Sequence, residues 1–186
     1  KILPRILIWW KMTNTRQLTR RQRYNIKQNR IDTLPFSVCC VNFDNDGNLG
    51  FLIRSAACFG ASTIHVIGSV PTRRQLNPIS GSLYDYVKIQ QYKNPRHFLD
   101  YAKSHNARLV SAEICEGSRS ISSYNFDFSS HVVVVVGNET TGVPVEILKN
   151  SDIVHIPMPG PGYCLNTSQA ANVLLYEATS QYYRSV

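Results

Sequence analysis

Asn48, Arg54, Glu139 and Asn166 are the polar residues of this 186-residue chain whose neighbours make chemistry conceivable. Each lies in or beside a glycine-bounded segment. The first segment runs from Asn48 to Arg54 and on to Phe59-Gly60, the second from Gly137 to Gly142, the third from Pro157 to Ser168. In the third, glycine and proline are too dense for the loop to pack a core of its own. It presents bare backbone amides and carbonyls, and a helix opening at Asn166-Thr167-Ser168 adds more donors. The second repeats the idea: the run Val132 to Val136 stops abruptly in the polar turn Gly137-Asn138-Glu139-Thr140-Thr141-Gly142. Two strand-end loops of this kind point to a ligand pocket at the edge of a parallel sheet.

Each side chain has a plain reading beside the chemical one. Arg54 falls on the polar side of a helical pattern, where it can clamp a phosphate or carboxylate or be an ordinary solvated arginine. Glu139 can accept from a ligand or sit in water as a turn residue. Asn166 can orient a substrate or simply cap the last helix. The usual signatures are missing: no G-x-S-x-G, no G-x-x-x-x-G-K-[ST], no G-x-G-x-x-G after the first strand. That disfavours a phosphate-loop NTPase and an ordinary dinucleotide-binding dehydrogenase. Five dispersed cysteines (Cys39, Cys40, Cys58, Cys115, Cys164) form no C-x-x-C pair, so a reducing compartment is expected, with no disulfide framework and no metal site. The five histidines are equally scattered and read as surface or strand-end residues rather than ligands.

The elements that must position these residues alternate. Ser37 to Phe43 reads as a buried strand. Leu49, Leu52, Ile53, Ala56 and Ala57 follow at helical spacing, with Asn48 placed to start the helix and Gly60 to end it. Strands are expected at Thr63–Ile67, Val87–Gln91, Arg108–Ala112, 132–136 and Ile153–Ile156, and helices at Pro95–His105, Val145–Asn150 and from Asn166 onward. Arg73 to Tyr86 reads as loop-like and Glu116 to Asp127 as a serine-rich surface loop. The unbroken valine run implies burial on both faces. The pattern predicts an α/β domain with a mostly parallel sheet flanked by helices.

The net charge of +8 is concentrated at one end. Residues 1–35 hold nine basic residues (Lys1, Arg5, Lys11, Arg16, Arg20, Arg21, Arg23, Lys27, Arg30) against Asp32 alone, and the remainder is neutral. We therefore expect a basic leader over 1–35, partly helical or disordered, before a domain over 36–186. Such a leader suits a polyanion, with RNA or DNA the foremost candidate and a solvated tail the plain alternative. Residues 1–11 lack the cleavage pattern of a secretory signal, and Met12 is a candidate natural start. No apolar run has membrane-spanning length. A cytoplasmic protein is expected, with an organellar targeting leader as a weaker reading.

Read together, Asn48-x-Gly50-x-x-x-Arg54-x-Ala56-x-x-Phe59-Gly60, Gly137-Asn138-Glu139-x-x-Gly142, and Ile156-Pro157-Met158-x-Gly160 leading to Leu165-Asn166-x-Ser168-x-Ala170-Ala171 resemble the three motifs of the SpoU/TrmH branch of SPOUT methyltransferases, in order and spacing. Arg20-Arg21-Gln22 is similar to the leader of TrmH-type tRNA enzymes. The resemblance implies a C-terminal trefoil knot, S-adenosylmethionine as cofactor, a homodimer, and methyl transfer to a ribose 2′-hydroxyl of tRNA or rRNA, tRNA being slightly favoured. It implies that Arg54, Asn48, Glu139, Asn166 and Cys164 do the chemistry. Ala112, Glu113, Gly137, Gly142, Ile156, Met158, Gly160 and Leu165 would hold the cofactor, and Arg16, Arg20, Arg21, Arg23 and Arg54 the RNA. Arginine almost never gives up its proton, so Arg54 is expected to anchor phosphate and activate electrostatically. The family usually has serine where Cys164 stands, and a thiol is the weaker hydrogen-bonding group. That departure keeps a second reading open, a weak or inactive RNA-binding protein retaining the fold. A generic nucleotide-binding protein is a third.

Overall fold

The computed structural model describes residues 33–186 together with Thr19 and Gln22. The expected RNA contacts Arg16, Arg20, Arg21 and Arg23, and nearly all of the basic leader, lie outside the described residues. Seven parallel strands form one sheet: β1 (Phe36–Val41), β2 (Thr63–Ile67), β3 (Lys88–Tyr92), β4 (Arg108–Ala112), β5 (Arg119–Ser120), β6 (Val132–Val136) and β7 (Ser151–His155), in the order β3-β2-β1-β6-β4-β7-β5. Five α-helices lie within residues 33–186: α1 (Asp46–Phe59), α2 (Arg73–Ile79), α3 (Pro95–Ser104), α4 (Val145–Leu148) and α5 (Thr167–Ser185).

The valine run shows why both faces are buried. Val132, Val134 and Val136 join the core that contains Leu49, Leu52, Ile53 and Ala56 of α1 and Ala171, Leu174, Leu175 and Ala178 of α5. Val133 and Val135 join a second core with Phe98 and Ala102 of α3 and Ile147 of α4. Alternate residues of a strand point to opposite faces, so a strand covered on both sides must be apolar throughout. Leu34 is also buried, and its amide donates to the Gly60 carbonyl at 2.8 Å, so the chain is packed from just before β1.

Three local expectations are corrected. Helix α1 starts at Asp46, because Asn45 caps it by accepting from the Gly47 amide at 2.7 Å. Asn48 is thereby inside the helix, and Gly60 closes it in the left-handed conformation (φ 76°). Residues 73–86 are not loop throughout. Thr72 and Gln75 form a capping box that starts α2, and the helix ends one residue after Pro78, which has no N–H to give the Arg74 carbonyl. Residues 116–127 are not a surface loop either: Ile121, Tyr124 and Phe126 are buried, and the Gln181 side chain of α5 bonds the Phe126 amide (2.8 Å) and the Tyr124 carbonyl (2.7 Å). Irregularly spaced aromatics give no periodic signal, which hides such a segment from pattern reading.

Candidate active site

In an all-parallel sheet every strand ends at the same edge, so the loops after β1, β4, β6 and β7 converge there. Three of the sequence-predicted residues form one hydrogen-bonded chain at that edge. The Asn166 side-chain amide donates to Oδ1 of Asn48 at 3.0 Å. The Asn48 amide in turn donates to Oε1 of Glu139 in a short contact. The amide of Asp44, in the loop after β1, donates to Oε2 of Glu139 at 2.8 Å, and that of Asn45 reaches Oε1 at 3.4 Å. Residues up to 118 positions apart are thus joined. Partial burial raises the Glu139 pKa, but the donors from Asp44, Asn48 and Asn45 outweigh it and hold the carboxyl below its ordinary value.

Asn166 has two tasks. Its Oδ1 caps α5 by accepting from the Ser168 amide (2.9 Å) and hydroxyl (2.7 Å), while its amide group reaches Asn48. The capping reading is therefore correct, and the same residue also holds Asn48. Arg54, two helical turns along α1 from its start, is exposed and has no ion-pair partner among the described residues. Arg54, Asn48 and Asn166 line a groove of about 680 Å³ between α1 and α5, together with Phe51, Gln169 and Asn172. A larger hollow of about 930 Å³ lies at the opposite sheet edge, around Arg108, Lys149 and Asp152, and contains none of the predicted residues.

The expected cofactor residues divide into two groups. Ala112 ends β4 in register with Val136 and Val154, and the Glu113 amide donates to the Val154 carbonyl. The Glu113 carboxylate accepts from the Val143 amide at 2.9 Å and so braces the turn at Gly142, whose φ of 68° favours glycine. A side chain at Gly137 would begin 2.2 Å from the Gly142 carbonyl carbon, so the strand end and the turn touch backbone to backbone. Thr167 locks α5 onto this turn by donating to the Gly137 carbonyl at 2.8 Å. The other group, Ile156, Met158, Gly160 and Leu165, lies on the loop between β7 and α5. Ile156 packs against the core, while Gly160, Cys164 and Leu165 are exposed. Gly160 and Gly162 face open space. Exposed amides with apolar Ile156, Met158 and Leu165 beside them fit an adenosyl group, which offers π-faces and neutral hydrogen-bonding edges. Cys164 is on this loop and, unlike Arg54, Asn48 and Asn166, does not line the groove.

Sequence reading missed several parts. The Asp44 and Asn45 amides carry no side-chain signal at all. Asn138 stabilises the turn by accepting from the Thr140 and Thr141 amides, a role its position at a strand end could have suggested. Gln169 and Asn172 follow Asn166 at three-residue steps, the spacing of one helix face, and were detectable on that ground. Metal-binding clusters are absent among the described residues.

A profile of the SpoU rRNA Methylase family matches residues 35–176. The chain is 34% identical over 141 residues to the 23S rRNA (guanosine-2′-O-)-methyltransferase RlmB of Acinetobacter baylyi, covering 72% of this chain and 55% of that protein. It is 28% identical over 142 residues to the tRNA (guanosine(18)-2′-O)-methyltransferase of Aquifex aeolicus, covering 75% and 66%. Among solved structures, the AdoMet-bound rRNA methyltransferase of Sinorhizobium meliloti superposes with a TM-score of 0.70 at 27% identity, over 78% of this chain and 56% of that one. The chain thus spans between about half and two thirds of the length of these relatives.

Proposed function

The chain belongs to the SpoU rRNA methylase family, and from that premise we propose that it transfers a methyl group from S-adenosylmethionine to a ribose 2′-hydroxyl of RNA. The observation that carries this reading is the chain Asn166–Asn48–Glu139, which fixes the groove wall beside an Arg54 guanidinium with no ion-pair partner among the described residues. S-adenosylmethionine supplies an electrophilic methyl group on a good leaving group. The protein's share is then alignment and charge stabilisation.

The loop amides of 156–165, with Ile156, Met158 and Leu165, would hold the adenosyl group beside the braced Gly137–Gly142 turn. Arg54 would grip an RNA phosphate through its N–H edges and draw negative charge toward the attacking 2′-oxygen. It keeps its own proton, so the hydroxyl proton leaves to phosphate or water. Asn48 and Asn166 would orient the ribose, with Glu139 holding Asn48 in place.

The basic leader would capture RNA, with affinity falling steeply as salt rises. Because Leu34 is buried, removing residues 1–32 should leave the domain folded while weakening RNA binding. Unchanged affinity after that deletion would refute the role. We further propose two features that the family resemblance implies. The placement of β4 between β6 and β7, with α5 returning across β6, supports a C-terminal knot. Stretching single molecules from both ends would then give a contour shorter than the full chain. The exposed Phe51 and Tyr176, at 50% and 60% exposure on α1 and α5, support a homodimer formed across these helices. Sedimentation should show a dimer that Phe51→Asp splits, and a wild-type monomer would sink the idea.

The deciding experiment is incubation with methyl-labelled S-adenosylmethionine and separate pools of tRNA and rRNA, followed by mapping of 2′-O-methyl sites. Incorporation is expected, with tRNA the first candidate. Tight cofactor and RNA binding without any transfer would favour a non-catalytic RNA-binding protein instead.

A further inference from the structure

The turn that follows α2 bears on Arg54 in a way that the three motifs do not cover. A side chain at Gly81 would begin 3.6, 3.7 and 3.8 Å from Nη1, Cζ and Nε of Arg54. Three bonded atoms of a flat group can be nearly equidistant from one point only if that point lies over the face of the group. A side chain at Gly81 would therefore rest on the flat face of the guanidinium, and glycine leaves that position open. The face of a guanidinium is weakly hydrated, whereas its N–H groups point outward in the plane. A turn without a side chain over that face leaves those donors free.

What brings the turn there is a second glycine. Gly50 and Arg54 are four residues apart on α1 and so share a helix face. A side chain at Gly50 would begin 2.5 Å from Cγ2 and 2.6 Å from Cβ of Ile79, the last residue of α2, so α2 approaches α1 this closely only because Gly50 has no side chain. The turn is then held rigidly. Ser80 is fully buried and donates to the Asn77 carbonyl at 2.9 Å, and the Ser82 amide donates to the same carbonyl at 2.9 Å. Gly81 and Ser82 both take left-handed φ values, 65° and 64°.

We propose that the Ser80–Gly81–Ser82 turn is a positioning element for Arg54, passing over the flat face of its guanidinium without a side chain so that the N–H edge stays free for the RNA. The inference rests on Arg54 being the RNA-engaging group. Gly50 sets the approach and Gly81 keeps the space over the guanidinium clear of any side chain that could capture it.

Gly81→Asp and Gly81→Asn test this as a pair. Both residues tolerate the left-handed conformation better than other non-glycine residues, so their backbone costs are alike. They differ in charge: the introduced carboxylate can pair with the guanidinium and take up its donors, and the amide cannot form that ion pair. Methyl transfer, cofactor affinity and melting temperature would be measured for both variants and for Arg54→Ala. We expect Gly81→Asp to lose at least about 30-fold in kcat/KM and Gly81→Asn less than about five-fold, with cofactor affinity within two-fold and similar melting temperatures. Equal losses in the two variants, no loss in either, or a parallel fall in cofactor affinity would overturn the proposal. If Gly81→Asp does not fold while Gly81→Asn does, the turn is a folding element, and the proposal is likewise overturned. An inactive Arg54→Ala with a fully active Gly81→Asp refutes only the positioning role. A fully active Arg54→Ala refutes the reading of Arg54 on which it rests.

Discussion

Two polar networks run through this domain, and they differ in where they end. One is sealed except at the half-buried His131: His131 Nε2 and His65 Nε2 both meet the Ser37 hydroxyl, at 2.9 and 3.1 Å, and His65 Nδ1 meets the Tyr92 hydroxyl at 2.9 Å. Ser37 and His65 are wholly buried, with the Phe98 and Tyr101 rings 5.7 and 5.0 Å from the imidazole of His65. The expectation that every histidine lies at the surface or at a strand end is therefore corrected for His65. It sits in mid-strand because two hydroxyls from β1 and β3 satisfy both of its ring nitrogens. The other network, Asn166–Asn48–Glu139, opens at the sheet edge beside an arginine with no partner among the described residues. Polarity alone does not separate structure from function here. Spare hydrogen-bonding capacity facing water does.

The largest effect that would test this contrast is on Arg54. Arg54→Ala should lower methyl transfer by at least about 1,000-fold, or about 4 kcal/mol of barrier, while calorimetry finds cofactor affinity nearly unchanged. Retained transfer would dissolve the distinction between the networks.

The next largest belongs to the sealed network and concerns stability alone. Burial, reinforced by His131, Lys88 and His105, pushes the His65 pKa down from 6.5 to about 4. His65 is therefore neutral in the fold, and the unfolded chain takes up a proton near pH 6.5. Its contribution is fully present above about pH 6.5 and is lost progressively as pH falls toward 4. The loss reaches about 3 kcal/mol at 1.36 kcal/mol per unit. Urea unfolding of wild type and His65→Leu between pH 7 and 4 should show that extra slope only in wild type. Parallel curves would mean that the imidazole is not held neutral.

Glu139→Ala probes the open network from behind. It strips an acceptor from two backbone amides and from Asn48, with an expected cost of about 1–3 kcal/mol in stability. Transfer should fall by about 10- to 100-fold because Asn48 loses its anchor. A stability loss with transfer intact would class this network with the sealed one. Cys164→Ser should have the smallest effect, a gain of about two- to five-fold in transfer if the hydroxyl is the better partner. A larger gain would move residue 164 into the centre of the site, away from the exposed loop position the structure gives it.

Much of the site was legible because its residues are both chemically distinctive and locally constrained. Gly137 and Gly142 announce a close backbone approach, and the valine run announces a buried strand feeding that turn. Asn166 announces a helix start. Asn48 was legible as a polar residue at the beginning of α1 but not in its role, since Asn45 takes the cap and frees Asn48 to bond Glu139. The Gly81 contact was invisible. A glycine after a proline-containing stretch signals only a turn, and nothing local says that an arginine 27 positions earlier lies over it.

By itself the sequence determined the alternation of strands and helices, the parallel sheet, the three glycine-bounded segments and the family they resemble. All of these follow from periodicity and backbone permissiveness within short windows. Only the tertiary structure decided that Asn166, Asn48 and Glu139 form one chain, that Arg54 stands beside it without a described ion-pair partner, and that His65 is structural. Those outcomes depend on strand order and on how closely helices approach. They are set by burial and packing summed over the whole chain rather than by any one segment.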